Sequence, residues 1–74
     1  LNNKTVGNFT FAYINGPNGM YVWAIVFGPK ENKEIICIFD FPPTKKVVDI
    51  MLEALHFEYD HGNVDMKDFA KAWW

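Results

Sequence analysis

Residues 8–41, NFTFAYINGPNGMYVWAIVFGPKENKEIICIFDF, decide the fold. From Asn8 to Ile14 the side chains alternate, with Phe9, Phe11 and Tyr13 on one side and Thr10, Ala12 and Ile14 on the other, as a strand requires. Asn15-Gly16-Pro17-Asn18-Gly19 concentrates residues that accept turn dihedrals and predicts a five-residue hairpin connection. Met20–Phe27 reads as a second strand, residues 28–33 (GPKENK) as a second turn, and Glu34–Phe41 as a third strand. The prediction is a three-stranded antiparallel meander.

Pairing Ile14 with Met20, and Phe27 with Ile35, gathers Phe9, Phe11, Tyr13, Tyr21, Trp23, Phe27, Phe39 and Phe41 on one face. The other face takes Ala12, Ile14, Val22, Ala24, Val26, Ile36 and Ile38. Strands apolar on both faces are expected to be covered on both. Pro42-Pro43 ends the third strand, and Thr44 is placed to cap a helix from about Lys45 to Tyr59, whose Val47, Ile50, Met51, Ala54 and Leu55 form a core-facing stripe. Gly62-Asn63 stops that helix. A short helix over Val64–Trp73 follows, with Met66, Phe69, Ala70 and Trp73 on one side. The expected class is therefore α+β, a three-stranded meander with one long and one short helix on one sheet face. Residues 1–7, polar and without periodicity, read as a loosely held arm of this single domain.

At 74 residues the chain buries a smaller share of its surface than a typical domain, yet half of it is hydrophobic and 18% aromatic, enough for a packed core. Two helices do not shield both sheet faces, so apolar surface is left over, and such surplus marks contact sites. One cysteine excludes an internal disulfide and suits a reducing, cytoplasmic setting. The longest apolar runs fall far short of the roughly 20 residues that cross a bilayer, and no secretory leader is expected. No membrane role is read from the sequence.

Net charge is −2 and every basic residue is a lysine, which argues against nucleic-acid binding, where arginine forks carry much of the recognition. The chain has no serine, the commonest hydroxyl nucleophile. Cys37, whose neighbours on the same side of the strand are Ile35 and Phe39, has no electropositive group to activate it and reads as a buried structural thiol. His56, Asp60 and His61 lack the spacing of a metal site, and a solvated helix end explains them. The carboxylates Glu53, Glu58, Asp60, Asp65 and Asp68 read as a solvated surface rather than a catalytic pair. No catalytic residue, metal or cofactor is expected.

Lys45 and Lys46 stand in the first helical turn, where the dipole prefers anions; they are either simply solvated or placed to bind a phosphate or an acidic patch on another protein. Trp73 and Trp74 either clamp the last helix to the sheet or form a binding hot spot. With Tyr13, Tyr21 and Trp23 of the aromatic face, these are the candidate partner-binding residues. The leading expectation is a non-catalytic protein-interaction module, of the kind found among small accessory or inhibitor proteins of phages and mobile elements. Two alternatives are a structural homodimer through the aromatic sheet face, and a small-ligand-binding domain using Tyr13, Tyr21 or His56.

Overall fold

The computed structural model describes residues 2–29 and 31–63. Four strands, β1 (Lys4–Val6), β2 (Phe9–Asn15), β3 (Tyr21–Phe27) and β4 (Glu34–Ile38), form one antiparallel sheet in the order β1-β2-β3-β4, and a single described helix, α1 (Lys45–Asp60), follows. The meander thus has four strands, not three. The N-terminal arm supplies the extra one: Val6 pairs with Phe9 across the two-residue loop Gly7-Asn8. Gly7 at φ +59° and Asn8 without a positive φ fit the hairpin turn that wants glycine first. The short helix expected over Val64–Trp73, with Trp73 and Trp74, lies outside the described residues.

β2 and β3 pair with Tyr13 opposite Trp23 and Asn15 opposite Tyr21, two steps from the register expected from sequence. The loop keeps five residues but moves one place along, to 16–20, where the Gly16 amide donates to the Met20 carbonyl and Gly19 takes a φ of +82°. A shift of two preserves every side chain's face. On β4 the expected pairing of Ile25 with Cys37 holds, but Val26 pairs with Ile35, so Ile36 is an extra residue in a bulge. The bulge lets Ile36 and Cys37 both join the core, and it kinks an outer strand of the sheet, which discourages unwanted strand addition. β4 ends at Ile38; Phe41 lies beyond it and is 83% exposed, so it does not belong to the aromatic face.

α1 lies on the aromatic face, over β1 and β2. Thr44 caps it as expected, its side chain accepting from the Val47 amide at 3.2 Å. Its end is a Schellman turn: Gly62, at φ +71°, donates to the Tyr59 carbonyl and Asn63 to that of Glu58. The core joins Phe9, Phe11, Ile25, Ile36 and Cys37 of the sheet to Val48 and Leu52 of the helix. The helix is rotated relative to the sequence expectation. Val48 and Leu52 are buried and Met51 and Leu55 pack beside them, while Val47, Ile50 and Ala54 face outward. Two contacts to β1 and its turn accompany this rotation: an ion pair between Lys4 and Asp49, and His56 against Gly7.

On the opposite sheet face Ala12, Ala24 and Val26 are buried, whereas Ile14, Val22, Ile35 and Ile38 are partly exposed.

Candidate functional site

The aromatic face divides in two. Under α1, Phe9 and Phe11 are fully buried, and Phe9 is edge-on to Tyr59 of the helix at 5.9 Å. At the end of the sheet next to the 16–20 loop the rings continue outward. Phe11 stacks on Trp23 at 4.9 Å with the planes 6° apart, Trp23 meets Tyr13 at 4.9 Å, and Tyr13 meets Tyr21 at 5.6 Å. Exposure climbs along this series. Phe11 is sealed, Trp23 is half-buried, and Tyr13 and Tyr21 are 52% and 60% exposed. Met20, at 66% exposure, lies on the adjoining loop and was not singled out by sequence reasoning.

The arrangement follows from the strands. Tyr13 and Trp23 are direct cross-strand partners, and pairs of this kind on one face support each other, so the outer rings are held without a helix over them. Tyrosine, tryptophan and methionine are also the residues enriched where proteins meet.

Lys45 and Lys46 are both exposed at the start of α1. Lys45 lines a cleft of about 290 Å³ with Asn2, Asn3, Lys4, Phe11, Val48 and Asp49. That is the lower limit for a small-molecule site. Its walls offer little convergent chemistry, since the Lys4 ammonium is already bonded to Asp49. Tyr13, Tyr21 and His56, the polar groups expected for a ligand pocket, do not line it. Lys46 is not part of it either.

Cys37 is buried, and burial pushes its thiol above the ordinary value. Because the folded state holds the proton more tightly than the unfolded chain, this group's contribution to stability is complete below the unfolded thiol's pKa. It declines as pH rises through the unfolded thiol's pKa toward the higher folded one. Alkylation by iodoacetamide at pH 8 is therefore expected to be slow in the native protein and fast in denaturant. Equal rates would place Cys37 outside the core.

Among the described residues no three histidine, cysteine, aspartate or glutamate side chains are grouped to hold a metal ion, and no helix is long and apolar enough to cross a membrane. His61 instead bonds the end of its own helix, with Nδ1 2.8 Å from the Phe57 carbonyl.

These features define a class by architecture alone: a small α+β domain, in which the described residues form a four-stranded meander backed by one helix. No protein-family model, curated protein or solved structure matches the chain.

Proposed function

We propose that this chain is a non-catalytic protein-interaction module whose contact surface is the open aromatic end of the sheet, Tyr13, Tyr21, Trp23 and Met20. The observation that supports this most is the continuous stack from the sealed Phe11 ring to the exposed Tyr13 and Tyr21. Rings seated on a core present large area with little freedom left to lose, so a partner that covers them gains apolar burial at low entropic cost. Lys45 and Lys46, exposed at the neighbouring helix start, add positive charge that favours a partner with an acidic rim.

The test is capture of partners from host extract by the tagged chain, comparing wild type with Tyr21→Ala and with Thr5→Ala, whose residue lies on the opposite sheet face. Tyr21 is more exposed than buried, so its loss is expected to cost about 1 kcal/mol or less in stability while abolishing specific capture. Thr5→Ala is expected to leave capture intact. Capture indifferent to Tyr21, or a Tyr21→Ala chain that fails to fold, would overturn the assignment.

A further inference from the structure

Helix α1 carries a second apolar stripe, adjoining the one that serves the sheet and turned toward solvent. Val48, Leu52, Met51 and Leu55 serve the sheet. Turned toward solvent lie Val47, Ile50, Ala54 and Phe57, with exposures of 44% for Val47, 57% for Ile50 and 54% for Phe57, and His61 stacks on Phe57 at 4.0 Å. The intervals along 47, 50, 54, 57 and 61 alternate three and four residues, the spacing of a coiled-coil seam. A helix serving one core needs a single stripe.

We infer that this outer stripe is a self-association surface, on which the α1 helix of a second copy packs antiparallel about a two-fold axis. The seam is self-complementary in that direction: Val47 of one copy meets Phe57 of the other, and Ile50 meets Ala54, giving four layers that fill one another in turn. The small Ala54 side chain receives the larger Ile50.

Charge selects the second copy and its direction. The first turn of α1 holds no acidic residue and the last no basic one; instead Lys45 and Lys46 begin the helix, and Glu58 and Asp60 end it. This is the reverse of what a lone helix dipole favours. In an antiparallel pair each lysine end lies beside the partner's acidic, dipole-negative end. Lys46, Glu53 and Asp60 recur every seven residues along one flank of the seam, so Lys46 of each copy is brought beside Asp60 of the other, while Glu53 meets its own copy near the axis at a small cost in solvent. A parallel pair would crowd four lysines at one end and the acids at the other.

The helix is already fixed on its sheet, so pairing carries no cost of helix formation. Four layers make a small interface, so a weak, concentration-dependent dimer is expected. The surface is separate from the aromatic end of the sheet, and either assignment stands or falls without the other.

Sedimentation of the full chain between about 1 and 200 µM at low salt tests the inference. Wild type is expected to shift from monomer to dimer, Ile50→Glu to remain monomeric with an unchanged circular-dichroism spectrum, and Tyr13→Ala/Tyr21→Ala to dimerise like wild type. Lys46→Glu and Asp60→Lys are each expected to weaken the dimer about threefold to tenfold, and the double swap to restore it, because it rebuilds both cross-pairs with signs exchanged. A chain that is monomeric throughout, a dimer that survives Ile50→Glu, or a double swap no better than its parents would overturn the inference.

Discussion

Replacing Phe11 with alanine is expected to destabilise the fold by about 3–5 kcal/mol, enough to leave much of a domain this small unfolded at 37 °C. Phe11 is fully buried where the sheet, the helix and the exposed aromatic series converge. Its ring stacks on Trp23, meets Phe39 edge-on at 5.7 Å, and pairs across the sheet with Ile25. Truncation removes the transfer free energy of the ring and leaves a cavity that fixed strands cannot close. It also removes the support beneath Trp23, so Tyr13 and Tyr21 lose their footing. Phe11→Leu retains most of the volume and is expected to cost clearly less. Urea denaturation followed by circular dichroism reads both. A loss under about 1 kcal/mol for the alanine variant would mean that the core is not seated on this ring.

Gly7→Ala is the second large effect, expected at about 2–4 kcal/mol. Gly7 holds a φ of +59° in the β1–β2 turn, a conformation that costs an L side chain roughly 1–2 kcal/mol. Space is also lacking, because a methyl group at Gly7 would collide with Nδ1 and Cε1 of the His56 ring. His56 is partly buried on α1, so the ring has little room to retreat without moving the helix. The two components separate in a double-mutant cycle. In a His56→Ala background Gly7→Ala is expected to cost only the backbone component, leaving a coupling of about 1 kcal/mol or more. No coupling would show that the turn and the helix do not touch.

That same contact explains where the sequence was legible and where it was not. The three longer strands, the Thr44 cap and the stop at Gly62 each rest on local signals: alternation, a hydroxyl before a helical pattern, a glycine after it. β1 has only three residues, too few for alternation to register, and its evidence lay in the Gly7-Asn8 pair that turns it back onto β2. The observed rotation of α1 brings Asp49 to Lys4 and His56 against Gly7, contacts that both involve that strand or its turn. Without it, periodicity had no means of choosing between Val48-Leu52 and Val47-Ile50-Ala54, since both stripes are apolar at helical spacing.

The bulge was concealed for a related reason. Ile35-Ile36-Cys37-Ile38 is apolar at every position, so alternation gives no clue to which residue is extra. The aromatic series was more accessible, because the two-step register shift left Tyr13, Tyr21 and Trp23 on their expected face. What sequence did not disclose was where along that face the helix stops. Whether a ring is core or surface depends on that tertiary boundary, which places Phe9 and Phe11 beneath α1 and leaves Tyr13 and Tyr21 outside it.

The central claim is that one continuous aromatic layer passes from sealed interior to open surface. Hydroxyl-radical footprinting of the native chain at low micromolar concentration, read residue by residue by mass spectrometry, tests it most directly. Strong modification of Tyr13, Tyr21 and Met20 with protection of Phe9 and Phe11 is the predicted result. Protection of Tyr13 and Tyr21 to the level of Phe11 would contradict it.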